Sequence, residues 1–529
     1  MAEIIIFSDV NGVFGVSRYA GPYRIATELR SHGFNVQVID FFASFDINTI
    51  CRILSVHVDK STLFVGFSTT LWTKYISDQD LKELYLNTNT SLRTIIASNY
   101  VRLFPLIDDE MRVIFEFIKS KNNKAKIVVG GYKAANYDTQ GVDYWILGQA
   151  ERSSVALANH LKYSTPLKTI KTDWGNIITE KMYQYNDFSK SKIIYDKTDY
   201  IFENENLPIE TARGCVFACS FCAFNLNGKK FGDYTKEKEV LQEEFIRNYE
   251  LYGTTGYMIS DDTLNDSMNK VRFLYDVISE LPFKIEFSAY SRLEIMSKSK
   301  EMPYMLEEIG LRSVEFGIET MNKKTGSFIG KRGDRKIIEK DLHMLKDIWK
   351  EKVYIAAGFI VGLPYEDEAS IRETMEWLYR KDNPLDGIQL NRYAFSVPPI
   401  ISVDDAEKYN LENAGFYKTP KGYVYENVSK IFANPAAYGY SMEKERDNNR
   451  WTNTCLTVEK AIELEKEFYD DSRARQKKSM SIFQYYNRMK NIGYTHEEIK
   501  DLYYDDLDFV ENAIARRINI KNNYLQKIL

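Results

Sequence analysis

The chain of 529 residues is longer than one hydrophobic core usually organises, and with 44% hydrophobic residues it can bury several. Its formal charge of −5 provides no overall basic field, so nucleic acid is not the expected partner despite a local basic cluster at Arg473 to Lys478. No apolar run of about 18 residues occurs and the opening MAEIIIFSDV reads as a strand rather than a signal peptide, so no membrane span is expected and the cytoplasm is the expected compartment.

Residues 1 to 160 alternate strand and helix signals. IIIF, the helix-like YRIATELRSHG ending at Gly33, NVQVIDFF, LFVGFS, a helix near residues 109 to 121 and KIVVGG predict a doubly wound parallel sheet. From 161 to 204 the pattern is weak, and a connecting segment is expected. From 205 to 400 short apolar runs recur between amphipathic stretches such as EKEVLQEEFIRNYELYG: LPIETA, GYMISDD, KIEFSAY, SVEFGIE, YIAAGFIVG and GIQLNRYAF. Six such strands predict a central (β/α)6 partial barrel with its chemistry at the strands' carboxyl ends. Residues 401 to 529 turn helical and charged, carry no catalytic motif, and are expected to cover the barrel mouth. Tyr438, Tyr440 and Trp451 within them read as core or lid packing. The expected fold class is therefore α/β: an N-terminal doubly wound parallel sheet, a central partial barrel and a helical C-terminal region.

Three of the five cysteines fall within eight positions, unlike the dispersed pattern of a secreted disulfide framework. They form Arg213-Gly214-Cys215-Val-Phe-Ala-Cys219-Ser-Phe-Cys222, directly after the first barrel strand. Three thiolates on one loop can bind three irons of a 4Fe-4S cube, and the missing fourth cysteine leaves one iron open to a small ligand. A structural zinc site usually needs four ligands, and none of the five histidines is close in sequence. Cys51 and Cys455 lie apart and read as buried structural thiols.

This loop and its barrel resemble the radical S-adenosylmethionine (SAM) superfamily, including the aromatic Phe221 before the last cysteine. The resemblance implies that the open iron chelates the methionine end of SAM and that an electron passed through the cluster cleaves SAM to a 5′-deoxyadenosyl radical. It implies further site residues at successive strand ends: Asp261 and Asp262 for the SAM amino group, Arg292 for its carboxylate, Glu319 near the ribose, and Gly358 and Gly362 on the adenine side. Taken singly, the acid pair would serve as a solvated turn, Arg292 as a surface salt bridge and Glu319 as a core ion pair. An acid facing the ammonium and an arginine facing the carboxylate suit the ligand, and glycines admit close approach of backbone to ligand.

The N-terminal domain looks like the cobalamin-binding domain that precedes many radical SAM barrels, with Gly130, Gly131 and Ser68 placed to meet the cofactor. The Asp-x-His-x-x-Gly motif that supplies a histidine to cobalt in one branch is absent, and Asp9-Val-Asn11-Gly12 offers no imidazole. Either cobalt lacks a histidine ligand here, or the domain has lost cobalamin.

Three function classes follow. The leading one is a cobalamin-dependent methyltransferase; the second is radical rearrangement, oxidation or cyclisation without methyl transfer; the third is a non-catalytic cluster-binding protein, which the intact cysteine triad disfavours. Methylthiotransferase is disfavoured because its second cluster needs an N-terminal cysteine set, and only Cys51 stands there. A small molecule or peptide is the expected substrate, and an electron donor such as flavodoxin or ferredoxin the expected partner. No catalytic side chain beyond the cofactor ligands is identifiable.

Overall fold

The computed structural model describes residues 2–8, 15–69, 77, 109–131, 141–183, 187–222, 234–393, 401–419, 422–425, 429–442, 451–474, 481–501 and 507–529. Two sheets organise them. The first takes β1 (Ile4–Phe7), β2 (Val36–Ile39), β3 (Phe64–Ser68), β4 (Lys126–Gly130), β5 (Tyr144–Leu147), β6 (Ile170–Thr172) and β7 (Gly175–Thr179) in the order β2-β1-β3-β4-β5-β7-β6. Neighbours run parallel except β6, which is antiparallel to β7.

Both faces of this sheet are covered, and the period-2 alternation of β1 shows how. Ile4 and Ile6 join one core with helices Ala20–Ser31 and Glu151–Tyr163. Ile5 and Phe7 join another with helices Ile47–His57 and Asp109–Lys121. Residues 161 to 204, expected as a connection, instead add β6 and β7 to the sheet edge. Strands of three and five residues are too short to produce a readable repeat, although Ile177 and Ile178 of β7 are fully buried.

The second sheet is the expected partial barrel. β8 (Leu207–Ile209), β9 (Gly256–Ile259), β10 (Glu286–Ser291), β11 (Leu311–Glu319), β12 (Tyr354–Val361) and β13 (Gly387–Arg392) stand in sequential order, all parallel. Helices Lys238–Tyr252, Met268–Ser279, Arg335–Trp349 and Glu368–Leu378 lie among the connections. Side-chain caps start three of them: Ser267 accepts from the Lys270 amide, Asp334 from Ile337 and Asp367 from Ser370.

The C-terminal region is mainly helical, as expected. It contains two short hairpins, β14 (Tyr417–Thr419) with β15 (Gly422–Val424) and β16 (Tyr440–Met442) with β17 (Trp451–Asn453). Two of its longer helices stand at the barrel's amino-terminal side and at its edge. Helix Ser481–Asn491 sits at the amino-terminal side of the barrel, where Asn487 donates to Ser288 Oγ, Lys490 pairs with Glu286 at 3.2 Å, and Asn491 accepts from the Asn206 amide at 2.6 Å. Helix Val458–Ala474 covers the β13 edge, where Glu465 pairs with Arg392 and Tyr469 donates to Asn391 at 2.9 Å. The segment that reaches the cysteine loop is the short helix Lys430–Ala433, where the Ile431 amide donates to the Ser220 carbonyl and Lys430 to the Ala218 carbonyl at 2.9 Å, while the β16–β17 hairpin packs at the end of β12. Trp451 is buried there, donating to the Tyr393 carbonyl at 2.9 Å and meeting the Tyr440 ring edge-on.

The two outlying cysteines are also corrected. Cys51 is half-buried, one step around its helix from the buried Ile50, Ile53 and Leu54, and Cys455 is exposed in the turn after β17.

Candidate active site

The cysteine loop is held before it begins. Asp261, at the end of β9, accepts from the Thr211 amide at 2.8 Å, from the Ala212 amide at 3.0 Å and from the Thr211 hydroxyl, and pairs with buried Lys270 at 2.9 Å. Both its oxygens are thus engaged in fixing the loop. Gly214 then turns the chain at φ +95° immediately before Cys215, a conformation that favours glycine.

Cys215 is buried with Sγ 3.4 Å from Thr263 Oγ1, and the Cys222 amide donates back to the Cys219 carbonyl at 3.2 Å. Arg292 donates to Cys219 Sγ at 3.3 Å while its guanidinium lies 3.9 Å from the centre of the Phe217 ring. Ser220 bridges outward, its amide donating to Ile329 and its carbonyl accepting from the Ile431 amide, each at 3.1 Å. Phe221 is partly buried against the large core.

Among the described residues no three Cys, His, Asp or Glu side chains converge to hold a single metal ion. A cubane asks something different, since each thiolate binds its own iron. Three half-buried or buried thiols on one anchored loop, with no fourth beside them, fit that donor set.

Behind the loop runs a chain of alternating charge. Arg292 pairs with Glu294 and also donates to the Gly330 carbonyl at 2.7 Å. Lys331 approaches Glu319 at 3.6 Å. Burial pushes the Glu319 carboxyl up from its ordinary range, against the pull of Lys331. Glu319 follows a register shift between β11 and β12, has φ +69°, and occupies the space a Cβ on Gly317 would need. Arg292 and Glu319 therefore belong to one cluster, but a carboxylate ligand at Arg292 would displace Glu294 or the Gly330 carbonyl.

The two glycines of β12 part company. Gly358 pairs with Gly317 on one side and Gln389 on the other, so two neighbouring strands both lack a side chain at that level. Gly362, at φ +96°, faces the Trp451 ring where its Cβ would stand, and its carbonyl accepts from Tyr440 and from Asn453 at 2.9 Å. The close approach it permits is by the C-terminal hairpin.

Ser68, Gly130, Gly131 and Asp262 come together elsewhere, on a crevice of about 650 Å³ between the carboxyl ends of the first sheet and the start of the cysteine loop. Strand order reverses at β1, and parallel sheets open their binding crevices at such switch points. Ile6, Phe64, Val128 and Ile146 give it an apolar floor, while Glu210, Arg213, Gly214, Ser260 and Asp262 close it from the barrel side. Its lining contains no histidine among the described residues, and it meets the cysteine loop through Gly214 rather than through Cys222 or Glu319. Phe14, Trp72 and Tyr132, the side chains that would block such a crevice, and the Asp9 to Gly12 turn lie outside the described residues.

One wall of the crevice is a buried charge network. Arg213 pairs with Glu151 at 2.8 Å and Glu210 at 3.5 Å; Arg24 pairs with Glu210 and lies 3.9 Å from Glu151. The Phe188 ring lies near both guanidinium groups, at 5.2 Å from Arg24 and 4.8 Å from Arg213. Burial alone would raise the Glu210 carboxyl, but Arg24, Arg213 and Lys236 hold it at about 2. Asp262 moves oppositely: burial and the neighbouring Asp261 push it up to about 6. Arg24, Glu210 and Lys331 were not singled out from sequence, because a charged residue on an amphipathic helix or loop gives no sign that it will be buried. Arg213 stood inside the cysteine motif without an assigned role, and Glu151 was assigned none either.

Comparison with known proteins agrees with this geometry. Residues 209–378 match the Radical SAM superfamily, so the barrel is a radical SAM domain. More particularly, the chain resembles members that carry a second domain before the barrel. Its structure aligns with the radical SAM methyltransferase TsrM from Kitasatospora setae, solved with cobalamin and a [4Fe-4S] cluster, at TM-score 0.59 and 16% identity over 98% of this chain and 100% of that one. OxsB, a cobalamin-dependent SAM radical enzyme, aligns at TM-score 0.56 and 12% identity over 99% and 80%. At such identities the fold is what is shared. In sequence, an uncharacterised methyltransferase of Pyrococcus horikoshii is 28% identical over 201 residues, which is 36% of this chain and 42% of that protein. The anaerobic magnesium-protoporphyrin IX monomethyl ester cyclase of Cereibacter sphaeroides is 22% identical over 76% of this chain and 64% of its own. The matches thus span less than two thirds of either relative.

Proposed function

We propose that this chain is a cobalamin-dependent radical SAM methyltransferase, acting on a small molecule or peptide. The observation that carries the reading is the crevice. Its volume of about 650 Å³ falls in the usual range for ligand sites, roughly 300–1,000 Å³, and it joins the glycine-lined strand ends to the loop bearing Cys215. Cys215, Cys219 and Cys222 would hold a 4Fe-4S cluster, Arg292, Glu319 and Gly358 would lie along SAM, and Ser68, Gly130 and Gly131 would receive cobalamin with no protein imidazole on cobalt. When bound, these groups supply a 5′-deoxyadenosyl radical and a transferable methyl group. The chain's own work is positional: Asp261 and the Glu151–Arg213 pair fix where the loop stands against the crevice, and the hairpin bearing Trp451 shields the far side from water.

A second reading, radical oxidation or cyclisation without methyl transfer, draws support from the cyclase relative, whose match covers 76% of the chain. The two separate in one experiment. Protein purified without oxygen, with cobalamin supplied, is reduced and given SAM labelled in its methyl group. Labelled methylcobalamin recovered from the protein supports methyl transfer; deoxyadenosine with bound but unlabelled cobalamin supports the second reading. A visible spectrum due to iron and sulfur alone removes cobalamin from both.

A further inference from the structure

Reductive cleavage of SAM needs an electron from outside the protein, and the transfer rate falls steeply with distance, so the route of entry should lie on the surface nearest the cysteine loop. One segment backs that loop directly. The Ser220 amide donates to the Ile329 carbonyl at 3.1 Å, the Cys219 thiol lies 3.7 Å from the Gly330 carbonyl, and a Cβ on Gly330 would stand 3.5 Å from Cys219 Cα.

On its outer face this segment presents an aromatic patch. Phe328 is 36% exposed and Tyr365 38%, with ring centres 5.0 Å apart, and Tyr438 of the C-terminal region meets Phe328 at 5.2 Å. A basic rim surrounds it. Between Lys323 and Lys336 the sequence holds six basic residues and one acid, but Lys331 and Arg332 pair with Glu319 and Asp341, so the rim at the patch is Lys323 and Lys324. Lys324 lies over the Tyr365 ring at 4.0 Å, and the Lys323 side chain is 79% exposed, 3.8 Å from Asp334. The neighbouring acid Asp367 is engaged in capping the next helix through Ser370. Aromatic residues with a ring of one charge are features of a docking face, and the sign of the charge selects the partner.

We propose that Phe328, Tyr365 and Tyr438, rimmed by Lys323 and Lys324, dock an acidic one-electron carrier protein. The inference rests on the cluster assignment of the preceding section. One electron leaves the reduced carrier, which is thereby oxidised, and reduces the cluster that Cys215, Cys219 and Cys222 would hold. Nothing in the docking face itself takes part in the chemistry.

The test uses the full-length reconstituted enzyme with two probes, a purified bacterial flavodoxin and a plant-type ferredoxin. Binding of each oxidised carrier is measured at low and high salt, and deoxyadenosine formation is measured with reduced carrier and with dithionite. In the wild type, at least one carrier should bind more tightly at low salt. In Lys323→Glu/Lys324→Glu its affinity and its carrier-driven rate should each fall by roughly tenfold at low salt, and the loss should shrink at high salt. Iron content and the dithionite-driven rate should be unchanged. Phe328→Ala should weaken binding at both salt concentrations. Failure of both carriers to bind the wild type, or undiminished binding by the charge-reversed variant, would overturn the docking face. Absence of deoxyadenosine with dithionite in the wild type would instead refute the cluster assignment, and the binding measurements would still judge the surface.

Discussion

Glu366 makes a quantitative prediction about pH and stability. It sits in the turn after β12, 3% exposed, with one carboxyl oxygen accepting from the Thr320 hydroxyl and the other without a partner among the described residues. Burial pushes its carboxyl up to about 8, from an ordinary value of 4.5, and the Thr320 bond pulls it back only in part. The folded protein therefore keeps a proton that the unfolded chain has lost, and stability falls as pH rises from 4.5 toward 8. At about 1.4 kcal/mol for each pH unit, this one group removes up to about 3 kcal/mol between pH 6 and pH 8. Glu366→Gln keeps the shape and an acceptor for Thr320 but removes the titration. Urea unfolding followed by fluorescence of the buried barrel residues Trp349 and Trp377 reports the relevant domain. The stability of the variant relative to wild type should rise by up to about 3 kcal/mol from pH 6 to pH 8, other groups cancelling in the difference. A difference that is the same at both pH values would show that Glu366 ionises freely in the folded state.

Other perturbations address the site itself. Reconstituted wild type should show one reducible 4Fe-4S centre whose spectrum changes with SAM, and Cys219→Ala should lose it; a stable four-iron cluster in the triple cysteine-to-alanine variant would sink the assignment. Arg292→Ala should retain iron yet bind SAM about ten- to a hundredfold more weakly, the equivalent of roughly 1.5 to 3 kcal/mol for a charge-assisted contact, and unchanged affinity would return Arg292 to a packing role. Gly362→Ala should destabilise the protein by roughly 1 to 3 kcal/mol through strained backbone and collision with Trp451. A neutral result there would mean the hairpin does not pack on β12. A double-mutant cycle of Glu151→Gln and Arg213→Met should give a coupling energy of about 1 to 3 kcal/mol, whereas additivity within about 0.5 kcal/mol would show that the pair does not bind the first sheet to the loop.

The barrel was legible because short apolar runs recur between amphipathic stretches, most clearly in YIAAGFIVG, whose strand is buried over most of its length. The cysteine loop was legible because three ligands for one cluster are adjacent in sequence. What could not be read was orientation. Asp261 and Asp262 are neighbours, yet at a strand end successive side chains point opposite ways, so one locks the loop and the other lines the crevice. Gly362 reads as room for a ligand, but the ring that takes the room arrives from residue 451, far along the chain. Long-range partners leave no local pattern, and the role of the C-terminal region was missed for the same reason.

The way the cysteine loop is held bears on the reaction more than on stability. Buried ion pairs such as Arg213 with Glu151, or Lys270 with Asp261, lose nearly as much in desolvation as they gain in attraction, so they are weak grounds for stability. What they fix is position, because a buried charge cannot leave its partner without a penalty of several kcal/mol. Here the partners belong to different bodies: Glu151 begins a helix on the first sheet, Asp261 ends β9, and Ile431 comes from the C-terminal region. Together they hold the stretch from Thr211 through Ser220. A radical abstracts hydrogen only from what stands within contact distance, and methyl transfer requires the crevice to deliver to that same point. A loop fixed to all three bodies holds those distances together, and the network between Arg24, Glu151, Glu210 and Arg213 lies where the crevice and the loop would otherwise move apart.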